Sequence, residues 1–117
     1  MIKNEIILVL LADDDKDDCA DFIEAFESLK IKTVVTTVKN GIDLMKYLTD
    51  PSVQIPHLLF LDLNMPKKSG LDCLVEIKQI EKLKDMTVVI YSTSSAEKDM
   101  EDTFLRRANV YLKKTAH

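Results

Sequence analysis

The sequence has very few of the residues that interrupt or cross-link a fold: 2 Gly, 3 Pro, 2 Cys and no Trp in 117 residues. The low content of Gly and Pro excludes collagen-like and low-complexity chains. Two cysteines are too few for a disulfide framework. No apolar run approaches the roughly 20 residues of a membrane-spanning helix. The N-terminus lacks the small-residue cleavage site of a signal peptide. We therefore expect a soluble, cytoplasmic protein with no membrane partner.

Composition and charge narrow the class of protein further. Hydrophobic residues make up 46% of the chain, which suits one globular domain over residues 1–117. With 16 basic and 20 acidic residues the net charge is −4. Direct nucleic-acid binding is not expected, because it needs a basic face. Cys19 and Cys73 fit no metal-ligand spacing and fall at apolar positions of predicted helices, so we expect buried free thiols.

Short apolar runs alternate with amphipathic stretches, which is the order of repeated strand–helix units. The patterns predict five strands, at residues 6–11, 33–38, 58–61, 87–91 and 110–112. Four helices lie between them. Periodicity assigns Leu29 to the first helix, Ile80 to the third, and Met100, Phe104 and Ala108 to the inner face of the fourth. This alternation implies an α/β fold with a doubly wound parallel sheet, whose ligand site lies at the carboxyl ends of the strands.

Acidic residues stand at two of these strand ends. The first strand ends in Asp13 and Asp14, and the third ends in Asp62. Three carboxylates at one edge repel one another unless a divalent cation lies among them, and oxygen-only ligands favour Mg²⁺. The neighbouring acids are assigned to the cap and first turn of the first helix, where the helix dipole favours negative charge: Asp15, Asp17 and Asp18.

The remaining strand ends carry groups that suit phosphoryl chemistry. A lysine after the fifth strand, Lys113 or Lys114, can neutralise a phosphoryl oxygen, and the Ser92 hydroxyl can hydrogen-bond a second one. An aspartate such as Asp62 is a competent nucleophile and gives an acyl phosphate. No Gly-rich nucleotide loop is present. The donor is therefore expected to be another protein or a small phosphodonor.

Four motifs together resemble the receiver domain of two-component response regulators, which have a CheY-like fold. They are Leu10–Asp15, Leu61–Pro66 with Gly70, Ile90–Thr93 and Tyr111–Lys114. The resemblance covers almost the whole chain and implies a flavodoxin-like sheet with strand order 2-1-3-4-5. It implies a phosphoacceptor that catalyses its own phosphorylation and dephosphorylation, rather than a conventional enzyme, with a sensor histidine kinase as partner. Residues 50–56 are most similar to the subgroup that serves bacteriophytochromes.

The resemblance also implies a role for each matching residue at the acidic edge. Asp62 accepts the phosphoryl group. Asp14 binds Mg²⁺ directly, Asp13 acts mainly through water, and Asn64 offers its backbone carbonyl to the metal. Lys114 pairs with Asp62 and with the phosphoryl group.

Switching and dephosphorylation are assigned in the same way. Ser92 moves to bond the phosphoryl group, and Tyr111 changes rotamer with it. These movements alter the face formed by the fourth helix and the fifth strand. The Asn64 side chain and Ser94 flank the path of the water that hydrolyses the acyl phosphate.

Two features depart from the family pattern. Thr115 follows Lys114 where the family usually has proline in a cis peptide, so Lys113 competes for the role, although strand alternation favours Lys114. The sequence ends at His117, where a fifth helix normally begins. With this helix absent, an apolar sheet face is exposed, and we expect a homodimer or lower stability. Three explanations for the absent helix stay open: a shortened chain, a longer natural protein, and a partner that covers the exposed face.

Two other functions compete with that of a receiver. An interaction module that keeps the fold without being phosphorylated is the main alternative, and the complete acidic set with Asp62 argues against it. An Mg²⁺-dependent phosphatase with an aspartyl nucleophile needs a second acid two residues after Asp62, where Asn64 stands. The receiver is therefore the predicted function.

Overall fold

Five parallel strands form one sheet with helices on both faces. The computed structural model describes residues 5–92 and 97–114. Its elements, in chain order, are β1 (Ile7–Ala12), α1 (Lys16–Glu27), β2 (Thr33–Val38), α2 (Gly41–Thr49), β3 (Leu58–Leu61), α3 (Gly70–Gln79), β4 (Thr87–Ser92), α4 (Glu97–Leu105) and β5 (Val110–Lys113). The strand order is β2-β1-β3-β4-β5, which confirms the predicted doubly wound sheet.

Alternating residues of the central strands point into two different cores. Leu10 and Ala12 of β1 belong to the larger core, which also contains residues of α2 and α3. Val9 and Leu11 point the other way and pack with Phe22 of α1. Because neighbouring residues of a strand face opposite sides, α1 lies on one face of the sheet and α2 and α3 lie on the other. The two-sided apolar sequence of β1 follows from this burial.

Polar caps explain where the first three helices begin. The side chain of Asp15 accepts hydrogen bonds from the backbone N–H groups of Asp17 and Asp18. Asn40 and Ser69 cap α2 and α3 in the same way. Each cap satisfies backbone donors that the first helical turn leaves free.

Several element ends differ from the sequence prediction. β1 begins and ends one residue later than predicted, and β4 and β5 each extend one residue further. α1 ends at Glu27, so Leu29 lies beyond it with 48% of its surface exposed. α3 ends at Gln79, and Ile80 is an extended cap residue rather than part of the helix.

Of the three residues predicted for the inner face of α4, Ala108 is buried but lies after the end of the helix. The prediction was wrong for Met100 and Phe104, which are 37% and 51% exposed. Thr103 is buried instead. Its hydroxyl donates to the Met100 carbonyl at 2.9 Å, so the polar group is satisfied within the helix and can face inward.

The two thiols lie in different environments. Cys73 is fully buried, as predicted, but Cys19 is only partly buried, so the prediction for it was wrong. Cys19 lies in the second turn of α1, which borders an open cleft beside Asp13 and Lys39. Burial raises the pKa of each thiol to about 11, so both are protonated near neutral pH. Within the described ranges, no helix is both long and apolar enough to cross a bilayer.

Candidate functional site

Backbone hydrogen bonds of the parallel sheet bring the ends of β1, β3 and β5 to one edge. Asp13 directly follows Ala12, and the Ala12 carbonyl accepts a hydrogen bond from the Asp62 N–H at 3.0 Å. The Lys114 N–H donates to the carbonyl of Ser92 at 2.7 Å. The side chains that follow these three strands therefore meet at the carboxyl edge of the sheet.

Three carboxylates form an acidic cluster at this edge. Asp13, Asp14 and Asp62 each offer one oxygen, and these oxygens lie within 4.8 Å of one another. Asp13 and Asp62 are buried, with only 1% and 7% of their surfaces exposed, whereas Asp14 is open to solvent. Converging carboxylate oxygens with one solvent-facing member are the donor set that a hard divalent cation requires.

Lys114 supplies the positive charge of the site. Its Nζ donates to Oδ2 of Asp13 at 2.5 Å, to Oδ2 of Asp18 at 3.0 Å and to Oδ2 of Asp62 at 3.3 Å. Lys114 is buried, whereas Lys113 is an exposed residue of β5. The structure therefore brings Lys114, and not Lys113, to the acids.

Burial and charge act in opposite directions on the titrating groups. Burial raises the pKa of Asp62, and the N–H of Asn64 and the charge of Lys114 offset only part of this effect. Burial lowers the pKa of Lys114, but its hydrogen bonds to Asp13 and Asp18 and the charge of Asp62 leave the pKa well above its ordinary value. Lys114 is thus a permanent cation at physiological pH.

The other predicted site residues are placed as follows. The N–H of Asn64 donates to Oδ1 of Asp62 at 3.1 Å, and Asn64 itself is exposed. Ser92 is fully buried at the end of β4. Tyr111 is half-buried and packs against the larger core. Ser94 and the residue after Lys114 lie outside the described residues.

Gly70 lies against the backbone that carries Asp62. A Cβ built at this position would collide with the Asp62 carbonyl oxygen and would lie 2.8 Å from Cα of Leu63. The Gly70 N–H also donates to the Leu63 carbonyl at 3.0 Å. The first residue of α3 thus holds the loop after β3, and a side chain there would displace it.

Comparisons with known proteins show which family this chain resembles. The family model of the response regulator receiver domain matches residues 9–117. Response regulator Rcp1 of Synechocystis sp. is 33% identical over 112 residues, which cover 92% of this chain and 76% of Rcp1. The chain belongs to the response regulator receiver domain family.

Solved structures of similar receivers show the same fold. The Mn²⁺-bound form of Rcp1 has a TM-score of 0.91 at 32% identity, over 95% of this chain and 83% of Rcp1. The phosphorylated cyanobacterial phytochrome response regulator RcpA has a TM-score of 0.92 at 34% identity, over 97% of this chain and 84% of RcpA. Chemotaxis protein CheY4 of Vibrio cholerae is only 15% identical, so its TM-score of 0.80, over 97% of this chain and 90% of CheY4, shows the fold alone. The chain is a phosphorelay receiver of the two-component type with a CheY-like, flavodoxin-like fold.

Two residues of the receiver's site were missed by the sequence analysis. Asp18 was assigned only to the first turn of α1, yet it contacts Lys114. The Tyr91 ring lies 5.1 Å from the Lys114 Nζ, in the range of a cation–π contact. Strand alternation could have placed Tyr91 on the α1 face, opposite Ser92, and the position of α1 just after β1 could have drawn attention to Asp18.

The raised pKa of Asp62 predicts how the stability of the receiver depends on pH. In the presence of EDTA, we expect Asp62→Asn to raise the free energy of unfolding at pH 7, because the buried carboxylate is less stable in its charged form than it is in the unfolded chain. The pKa of Asp62 in the folded protein lies above the ordinary value of 3.8. The wild type therefore loses stability as the pH rises from this ordinary value through the folded pKa, whereas the variant has no carboxyl group at this position to titrate. The advantage of the variant should therefore grow from pH 4 to pH 7 in urea titrations.

The control for this experiment is Asp17→Asn, which removes an exposed carboxylate of the first turn of α1. Its effect should be small at both pH values. An advantage of Asp62→Asn that stays constant or shrinks as the pH rises would contradict the prediction.

Proposed function

We propose that the receiver domain formed by residues 1–117 accepts a phosphoryl group on Asp62. One observation supports this most directly: the buried Asp62 carboxylate lies 3.3 Å from the Lys114 ammonium and beside two further acids. A nucleophilic oxygen, a fixed cation and a metal-binding donor set are what phosphoryl transfer requires, since catalysis of that reaction is mostly positioning and charge neutralisation.

The donor in the proposed reaction is a phosphohistidine on a sensor histidine kinase. A carboxylate oxygen of Asp62 uses a lone pair to form a bond to phosphorus. The phosphorus–nitrogen bond breaks, and its electron pair stays on the imidazole nitrogen, which takes up a proton from solvent. Lys114 and the Ser92 hydroxyl hold the transferred group by charge and hydrogen bonding.

The metal in this proposal is Mg²⁺. Asp13, Asp14 and Asp62 would hold it together with the backbone carbonyl of Asn64, and the oxygen-only donor set fits a hard cation of this kind. When bound, Mg²⁺ supplies positive charge that offsets the charge on the phosphoryl oxygens. Rcp1, which is similar to this chain, has a solved Mn²⁺-bound form.

We also propose that the receiver catalyses its own dephosphorylation and switches one of its faces. A water would attack phosphorus beside Asn64 and Ser94, and the bond between phosphorus and the Asp62 oxygen would break to give inorganic phosphate and the free carboxylate. Ser92 and Tyr111 would rearrange when the phosphoryl group is present. The face of α4 and β5 would then differ between two states, as a phosphoryl switch requires.

A bacteriophytochrome is the sensor kinase that we propose as partner. This proposal rests on the similarity to RcpA, a cyanobacterial phytochrome response regulator, and to the bacteriophytochrome response regulator RtBRR, which is 27% identical over 97% of this chain and 72% of RtBRR, with a TM-score of 0.83. A kinase that uses ATP works in the cytoplasm, so we propose the same location for the receiver. The predicted homodimer stays a prediction.

The function can be tested by intact mass after incubation with Mg²⁺ and acetyl phosphate. We expect the wild type to gain the mass of one phosphoryl group, because Asp62 can attack this small donor as it would a phosphohistidine. Asp62→Asn should gain none, and the wild type in EDTA should gain at least about tenfold less.

Circular dichroism establishes that both proteins are folded before the masses are compared. A folded wild type that gains no mass would overturn the proposal and favour the unphosphorylated interaction module. A gain of equal size in Asp62→Asn would move the acceptor to another residue.

A further inference from the structure

The Lys114 ammonium has more acidic partners than the metal and acceptor residues explain. A primary ammonium has three N–H donors, and the three carboxylates that accept from it are those of Asp13, Asp18 and Asp62. Asp13 and Asp62 belong to the acidic cluster, whereas Asp18 does not. We propose that Asp18 is a positioning residue, which holds the Lys114 ammonium beside Asp62 for phosphoryl transfer. This inference rests on the proposed function of Asp62.

The reaction itself makes the Asp18 contact more important. A cation held by the acidic cluster would compete with Lys114 for the oxygens of Asp13, because both positive charges would be attracted to the same lone pairs. The phosphoryl group forms a bond to one carboxylate oxygen of Asp62, so this carboxylate interacts less strongly with Lys114. Of the three carboxylates that contact Lys114, that of Asp18 is then the one that binds neither the cation nor the phosphoryl group.

The backbone of Asp18 is well placed for this role. Asp18 lies in the first turn of α1, and its N–H donates to Oδ1 of the cap residue Asp15 at 3.2 Å. Its side chain is 29% exposed, so it is partly shielded from solvent where it meets Lys114. A residue whose backbone is hydrogen-bonded in a capped helical turn therefore contacts the end of a long, flexible side chain.

Loss of this restraint should affect the rate more than the metal site. Lysine has a four-carbon stem with many rotamers, and a misplaced charge stabilises the transferring phosphoryl group less well. We expect Asp18→Asn to slow acyl-phosphate formation about tenfold at saturating Mg²⁺. The Mg²⁺ concentration for half-maximal rate should change less than about twofold, since Asp18 lies outside the acidic cluster.

The chain offers a matched control in Asp17. This residue lies in the same first turn, carries the same charge, and its N–H donates to the same Asp15 oxygen at 2.9 Å. Its side chain is exposed. Asp17→Asn thus removes the same charge and the same interaction with the helix dipole, and it should leave the rate within about twofold. Asp18→Glu keeps a carboxylate and should restore part of the rate.

A second measurement needs neither metal nor phosphodonor. The ¹⁵N-coupled proton signal of the Lys114 ammonium, assigned by its loss in Lys114→Met, reports directly on how the ammonium is held. In EDTA this signal should shift and exchange faster in Asp18→Asn, and it should remain unchanged in Asp17→Asn.

The outcomes separate the positioning role from the proposed function. A slower rate with unchanged half-maximal Mg²⁺, together with a changed ammonium signal, supports the inference. An unchanged or faster rate in Asp18→Asn, or an unchanged ammonium signal, overturns it. A tenfold shift in half-maximal Mg²⁺ would also overturn it, by showing general damage to the site. A wild type that takes up no phosphoryl group refutes the function of Asp62, and the ammonium signal still decides whether Asp18 holds Lys114.

Discussion

Lys114→Met should slow phosphoryl acceptance by about 100-fold or more and lower the free energy of unfolding by about 3 kcal/mol at pH 7 in EDTA. The side chain of Lys114 is buried, and two of its three carboxylate partners, Asp13 and Asp62, are buried as well. Removal of the cation leaves these carboxylates facing one another without compensation. Methionine has a similar length, so the loss of charge is separated from the loss of volume.

The stability loss caused by Lys114→Met should depend on pH. Burial already raises the pKa of Asp62, and the charge of Lys114 offsets part of this effect. Without the lysine, the pKa of Asp62 should therefore rise further. Protonation of the acids should therefore relieve the repulsion as the pH falls, so the stability deficit of Lys114→Met should shrink from pH 7 to pH 4. The raised pKa of Lys114 keeps its own charge constant over this range in the wild type.

Urea unfolding and the rate of mass gain with acetyl phosphate measure the two effects. The control is Lys113→Met, which removes the same charge from an exposed position of β5. It should change the stability by less than about 0.5 kcal/mol. Equal behaviour of the two variants would refute the assignment of Lys114 to the site.

Gly70→Ala should destabilise the receiver by about 2 to 3 kcal/mol and slow phosphoryl acceptance about tenfold or more. The new Cβ would meet the carbonyl oxygen of Asp62 and would lie 2.9 Å from its carbonyl carbon. These are backbone atoms, so no change of rotamer relieves the collision. The glycine does not have a positive φ, and alanine can therefore adopt the backbone conformation without strain.

Ser69→Ala is the control for an effect that is confined to the start of α3. It removes the cap that accepts from the Asp72 N–H at 3.2 Å, which should cost about 1 kcal/mol without any collision. Its rate of phosphoryl acceptance should equal that of the wild type. If Gly70→Ala is less stable but keeps the full rate, Gly70 supports the fold and has no influence on the position of Asp62.

The sequence alone predicted the fold and most of the site because the signals were local. The two-sided apolar run of β1 indicated a central strand, and the strand order followed from the family resemblance. Asp13, Asp14 and Asp62 directly follow strands, so a parallel sheet had to bring them to one edge. Strand alternation also favoured Lys114 over Lys113, in agreement with the placement in the structure.

The interpretation of α4 shows where local signals fail. An apolar periodicity predicted that Met100 and Phe104 face inward, yet both are exposed and Thr103 is buried. Periodicity indicates that a helix has an apolar stripe, but it does not show whether anything covers that stripe. Burial is decided by which elements pack against the helix, and these are brought together only by the tertiary fold.

What the sequence by itself determined was the order of strands and helices, the acids at the strand ends and the family to which the motifs point. These depend on periodicity, caps and spacing, which act over a few residues. What only the tertiary structure decided was that Asp13 and Asp18 hold Lys114 together with Asp62, the partner that the resemblance implied. Asp18 lies 96 residues from Lys114 along the chain and reaches it because α1 begins at the end of β1, beside the carboxyl ends of the other strands. A contact of this kind depends on how elements pack, because it joins residues whose local sequences carry no sign of each other.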